Sequence, residues 1–177
     1  RQMCIRDSIG IGPLIPIAKF IKIDQNSALI FTGIVSLIVL INYTYKLFPT
    51  IEDVERKSFG TIFYCLSLFM LIWLFWDKDP YALIAGFFVM TFGDGLAGLI
   101  GKSSNSKNWI IFKQKKSLFG TLTMFLTSLI VVCSIGYAQQ KNINLNYFAI
   151  AFLATVLEQF SVLGIDNFIV PISSALF

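Results

Sequence analysis

Histidine is absent from this 177-residue sequence. Its absence excludes a nucleophilic triad built on an imidazole base and any His-ligated metal centre. Cysteine is scarce: Cys4 lies near the start, and Cys65 and Cys133 lie inside apolar runs. Three thiols so placed give neither a disulfide framework nor metal-ligand spacing. Charge is scarce as well, with 14% Asp, Glu, Lys and Arg against 56% hydrophobic residues and eighteen Phe. So few polar side chains cannot cover the surface of a soluble domain of this length, so lipid is the solvent that this composition fits. Internal repeats, low-complexity linkers and a second compositional domain are also missing, and residues 9–177 read as one integral membrane domain.

What is present is a series of long apolar runs. A helix needs about 20 mainly apolar residues to cross a hydrocarbon layer of roughly 30 Å. Residues 9–23, 27–45, 59–76, 81–100, 118–138 and 147–164 are candidate spans, with a partial one from 167. The runs are continuous rather than alternating, and in lipid a helix satisfies its own backbone groups, so a spanning sheet is not expected. The expected fold is an all-α, multi-pass transmembrane helix bundle of about six to seven spans. Asp77-Lys78-Asp79-Pro80 separates two of them, and Ser117 stands where a helix N-cap is expected. Trp73, Trp76, Tyr43, Tyr45 and Tyr147 near run ends suit interfacial belts. Residues 1–8, RQMCIRDS, read as a translated sequencing adapter and are expected to be a non-native scar. No cleavable signal peptide is expected, and the apolar ending NFIVPISSALF reads as a truncated C-terminus.

Threaded alternately across a bilayer, these runs sort the connections onto two faces. One face collects Lys46, Arg56, Lys57, Lys102, Lys107, Lys113, Lys115 and Lys116; the other has Lys19, Lys22, Lys78 and Lys141. The positive-inside rule makes the first face cytoplasmic, or stromal in a plastid. Three carboxylates are expected near it. Asp94, in TFGDGLAGLIGKS, lies about two turns before its run reaches that face, Glu158 lies at a similar depth, and Asp166 follows in the next turn. A charge inside a span costs about 2.5–3.5 kcal/mol on insertion scales, which marks such residues as candidates for function.

The stretch GKSSNSKNWIIFKQKKS holds five lysines and no acid, and it leads into a helix start that favours anions. Carboxylates slightly deeper suit Mg²⁺, which takes one or two carboxylates plus substrate phosphates. The combination points to a nucleotide–Mg²⁺ site at the membrane surface. Gly93, Gly95 and Gly98 would allow close backbone approach beside Asp94. Each element also has a plainer reading. Gly95, Gly98 and Gly101 fit a helix-packing stripe, the lysines a topology or headgroup anchor, and Asp94 or Glu158 an ion relay. Gly101-Lys102-Ser103 is not the end of a Walker A loop, because Leu96 stands where its first glycine belongs.

Four stretches, ERKSFGTIFY (55–64), GDGLAGLIGK (93–102), KKSLFGTLTMF (115–125) and LEQFSVLGIDNFIVP (157–171), together resemble the polyprenol kinase family. That group includes phytol, farnesol and dolichol kinases and is distantly related to CDP-diacylglycerol synthases; the phytol kinase branch is the most similar. The resemblance implies transfer of the γ-phosphoryl group of CTP, with Mg²⁺, to a long-chain isoprenoid alcohol. It implies catalytic roles for Asp94, Glu158 and Asp166, with Asp94 and Asp166 as metal ligands. Gly93, Gly95, Lys102, Lys115, Lys116, Ser117 and Asn167 would contact the nucleotide, and Glu158 would orient the site or the alcohol.

Two departures stand out. The family pattern has Glu two residues after the Ser of its KKS motif, where this chain has Phe119, and an Arg-Lys pair and a His upstream of Ile9, where this chain has RQMCIRDS. Two competing functions share the gross features. A cytidylyltransferase of the CDP-diacylglycerol synthase type expects a Pro-Gly-His-Gly-Gly run, absent here. A non-catalytic transporter would line an ion path with Asp94 and Glu158, and transport folds often carry inverted repeats, which this sequence does not show.

Overall fold

In the computed structural model the described residues are 24–45, 59–104, 106–111, 114–139, 142, 144–160 and 164–176. The expected span 9–23, residues 46–58 with their three cations, Lys113 and the expected scar at residues 1–8 lie outside them.

Helix α1 (Gln25–Tyr45) begins at Asp24, whose carboxylate accepts from Asn26 N at 3.2 Å. It runs antiparallel to α2 (Gly60–Phe75), and the Gln25 side-chain amide donates to the Ile72 and Trp73 carbonyls at the far end of α2. Asp79 caps α3 (Pro80–Phe88), accepting from Tyr81 N and Ala82 N at 3.1 Å each, with Pro80 at the first helical position, where its missing N–H costs nothing. A π-helical segment (Val89–Asp94) carries the rod on into α4 (Gly95–Ser103), making one continuous stretch of 24 residues. Strands β1 (Asn108–Ile111) and β2 (Gln114–Ser117) pair antiparallel, with Trp109 opposite Lys116 and Ile110 opposite Lys115. Ser117 then caps α5 (Leu118–Ala138), its Oγ accepting from Gly120 N at 3.1 Å. Asn144 caps α6 (Leu145–Gln159), and α7 (Asp166–Leu176) closes the described chain.

The expected all-α class holds in the main, with one difference: the lysine-rich stretch before α5 is partly a β-hairpin, not a bare loop. Trp109-Ile110-Ile111 is an aromatic and β-branched run that suits a strand. Among the described residues, three helices are long and apolar enough to cross a membrane by length and composition: Gln25–Tyr45, Pro80–Ser103 and Leu118–Ala138. Gly60–Phe75 and Leu145–Gln159 are apolar but shorter. Within the expected run 147–164 the helix ends at Gln159, with Phe160 as its C-cap.

α7 sits at the centre of the packing. It lies against α2, α3, α6 and the π segment, while α5 packs on α4 and α6. Its buried residues are Asp166, Asn167, Val170, Pro171, Ser174 and Ala175, a stripe at helical spacing. Leu71, Ile72, Leu83, Val89, Met90, Met124 and Val170 fill the core between these rods. Outward, α1 exposes Phe31, Ile34, Leu37, Ile38 and Ile41, and α5 exposes Leu122, Leu126 and Ile130. Apolar faces of this extent match a hydrocarbon surrounding and give the chain the character of a membrane-associated protein.

Two glycines set the close approaches around α7. A Cβ at Gly86 would lie 2.3 Å from the Pro171 carbonyl oxygen, so α3 and α7 meet backbone to backbone there. Gly164 has φ +92°, a left-handed conformation, and its Cβ would lie 2.6 Å from Gly60 Cα. By contrast, the nearest atom to a Cβ at Gly33 is Phe69 Cε2 at 3.8 Å, an ordinary contact. Gly86→Ala is therefore expected to destabilise the bundle by about 1–3 kcal/mol, the range for overpacking. Gly33→Ala is expected to leave the melting temperature in detergent unchanged, and equal melting temperatures for the two variants would refute the close contact.

Candidate functional site

One end of the bundle gathers most of the polar groups singled out in the sequence. The end of α4, the hairpin, the starts of α2, α5 and α7 and the end of α6 all meet there. The junctions are specific. A Cβ at Gly101 would lie 2.6 Å from Ser117 Oγ and 3.4 Å from Gly120 Cα, so α4 and α5 cross at their small residues. The Asn167 amide donates to the Gly60 carbonyl at 2.9 Å, fastening the first turn of α7 to the start of α2.

The central contact is an ion pair. Lys116 and Glu158 are both buried, and the Lys116 ammonium is bonded to the Glu158 carboxylate. The same ammonium donates to the Glu158 carbonyl at 2.8 Å. The other carboxylate oxygen, Oε2, accepts from the Gln159 amide at 2.8 Å. Gln159 also donates to Thr121 Oγ1 at 3.0 Å and accepts from Trp109 Nε1 at 3.3 Å. β2 is thereby tied to the C-terminal turn of α6. Lys116 and Glu158, which sequence reasoning placed separately as a phosphate contact and an orienting acid, form one unit.

The remaining lysines behave differently. Lys102, Lys107 and Lys115 are exposed and form a cationic rim. Ser117, expected at the nucleotide, serves as the α5 cap and packs on Gly101.

Glu158 is the penultimate residue of α6, beside the hairpin, whereas Asp94 is nine residues inside the rod that ends at Ser103. At about 1.5 Å per residue Asp94 lies roughly a dozen ångströms before the end of its own rod at Ser103. Among the described residues, no three acids or cysteines are grouped to hold a metal ion. Among the described residues Asp94, Glu158 and Asp166 therefore form no three-carboxylate metal cage, and the Glu158 carboxylate is engaged by Lys116. The α7 helix that carries Asp166 does pack on the π segment that carries Asp94.

Asp94 is buried and ends the π segment. Such widened turns are uncommon and recur at functional sites. Its neighbour Gly93 has no room for a side chain: a Cβ there would lie 2.7 Å from Met124 Sδ and 3.3 Å from Ser128 Oγ. Gly93 therefore serves packing, whatever else it does, and Gly95 is buried beside it. Asp166 is buried at the start of α7, and its Oδ1 has no hydrogen-bond partner. An orphaned carboxylate oxygen is costly to bury, and a cation would satisfy it.

Sequence reasoning missed Gln159, Trp109 and Thr121, which hold the ion pair in place. The only signal was Gln159 next to Glu158 in LEQF, which does not by itself predict a three-way bridge. Removing Lys116 alone strands a buried carboxylate, at a cost of about 3–5 kcal/mol. Lys116→Met should therefore lower unfolding stability in detergent far more than the double variant Lys116→Met/Glu158→Leu. Equal losses in the single and double variants would mean that the pair is not coupled.

No family model and no solved structure matches the chain. Two curated proteins are similar. One, described as phytol kinase, from Synechocystis sp., is 36% identical over 172 residues, covering 95% of this chain and 74% of that protein. The other, described as "probable phytol kinase, chloroplastic", from Triticum aestivum, is 25% identical over 142 residues, covering 69% of this chain and 44% of that protein. Identity at that level along nearly the whole chain, on a helical frame with buried acids below a cationic rim, means that the chain belongs to the phytol kinase family.

Proposed function

We propose that this protein transfers the γ-phosphoryl group of CTP to the hydroxyl of a phytol-like isoprenoid alcohol at the membrane surface, releasing prenyl phosphate and CDP. Membership of the phytol kinase family makes it a kinase with an alcohol acceptor; the donor, the metal and the location are the further steps. The observation that carries the reading is the 36% identity to the Synechocystis phytol kinase along 95% of the chain. The arrangement of charge supports it.

A triphosphate approaching from water would meet Lys102, Lys107 and Lys115, which are exposed. Phosphoryl transfer asks for in-line positioning and charge neutralisation rather than a protein nucleophile. Mg²⁺, held by Asp94 and Asp166, would supply that neutralisation at the phosphates, and the partnerless Asp166 Oδ1 fits a cation ligand. Glu158 would act by orienting the site, since its carboxylate fixes Lys116 and thereby the hairpin that carries Lys115. Gly93, Gly95, Ser117 and Asn167 would shape the nucleotide pocket through backbone position. A lipid alcohol supplied from the exposed apolar helix faces would present its hydroxyl just below the headgroups. The reading includes six to seven spans, with the basic end facing the cytoplasm or, in a plastid, the stroma.

The test is a product assay on the purified protein in lipid, with CTP, UTP or ATP, Mg²⁺ and a panel of prenols. Phytyl phosphate and CDP are the expected products, and Asp94→Asn is expected to lower turnover by at least about a hundredfold, the scale of losing one preorganised electrostatic contact. Release of pyrophosphate would identify a cytidylyltransferase. Nucleotide-independent solute flux in liposomes would identify a transporter.

A further inference from the structure

We propose that Gln159 is a positioning residue that clamps the cationic hairpin onto the end of α6 and fixes the direction of the Glu158 carboxylate. Its side chain forms hydrogen bonds with the side chains of three other residues. Its amide nitrogen donates to Glu158 Oε2 at 2.8 Å and to Thr121 Oγ1 at 3.0 Å. Its amide oxygen accepts from Trp109 Nε1 at 3.3 Å. One planar group thus joins β1, the first turn of α5 and the acid that holds β2.

The chemistry of the amide is what the position requires. A carboxamide has both donors and an acceptor, whereas Trp109 offers only a donor and ionised Glu158 only acceptors. Glutamate at 159 would keep an acceptor for Trp109 but lose both donations, and would set a second negative charge beside Glu158. Leucine would lose all three bonds. Without the bridge, Glu158 keeps Lys116 but its second oxygen is left buried without this donor, and β1 is released from α6. The register pairs Trp109 with Lys116 and Ile110 with Lys115, so loosening β1 also loosens the strand that carries two of the lysines. Ile110 is 76% exposed, so the outer face of β1 supplies little packing to compensate.

The inference concerns the hairpin itself; its kinetic consequence rests on the prenol kinase reading. Two readouts keep them apart. In limited trypsin digestion of the folded protein in lipid, cleavage after the exposed Lys107 and Lys115 should accelerate in Gln159→Leu, Gln159→Glu and Trp109→Phe. Each lost hydrogen bond is worth about 1 kcal/mol, so an acceleration of roughly fivefold is expected for Trp109→Phe and more for Gln159→Leu. In the kinase assay, Gln159→Glu should raise KM for the nucleotide about tenfold while kcat stays within about twofold. A structural defect alone would lower the active fraction and hence kcat, leaving KM unchanged. Trypsin cleavage at the wild-type rate in all three variants would overturn the clamp. If the wild-type protein used no nucleotide at all, the kinase reading would fail while the digestion still decided the role of Gln159.

Discussion

A lysine and a glutamate removed from water together govern the functional end of this protein. Taking either charge out of water costs several kcal/mol, and the cost is offset only when the partner and the remaining hydrogen-bond positions are supplied with good geometry. Lys116 meets that condition through the carboxylate and the carbonyl of Glu158, and Glu158 through Lys116 and Gln159. The two residues are 42 positions apart in sequence. Their pairing therefore fixes how the segment between α4 and α5 lies against α6, and it leaves Lys102, Lys107 and Lys115 facing outward.

A second constraint comes from close backbone approach. α7 is short and carries polar residues at both ends, yet it is wedged among α2, α3 and α6. Gly86 allows the Pro171 carbonyl to reach α3, and Gly60 with Gly164 allows the turn before α7 to touch the start of α2. These contacts hold Asp166 and Asn167 at the same end of the bundle as the ion pair. Below that end, Gly93 brings the π segment against Met124 and Ser128 and so seats Asp94 in the interior.

Much of the helical frame was legible because lipid imposes a simple rule of length and polarity. The run 118–138 matches α5 residue for residue, and 27–45, 59–76 and 81–100 differ from their helices by a few positions at the ends. The run 147–164 extends past the end of its helix at Gln159, since hydropathy does not register a C-cap such as Phe160. The hairpin reads as loop in the sequence because its three lysines among ten residues outweigh the short strand signal of Trp109-Ile110-Ile111. Asp94, Asp166 and Glu158 were all identifiable as acids in apolar surroundings, but their mutual arrangement was not. An acid's depth along its own run says nothing about which cation a neighbouring strand will deliver.

Composition and run length alone determined that this chain is mainly helical and suited to lipid, because those properties are sums over residues and survive any rearrangement of the rods. The tertiary structure decided which buried charges meet, which lysines remain in water and which glycines carry contact. Those outcomes depend on distances between segments far apart in the chain, and only the packed helices bring Lys116, Glu158 and Gln159 within hydrogen-bond reach.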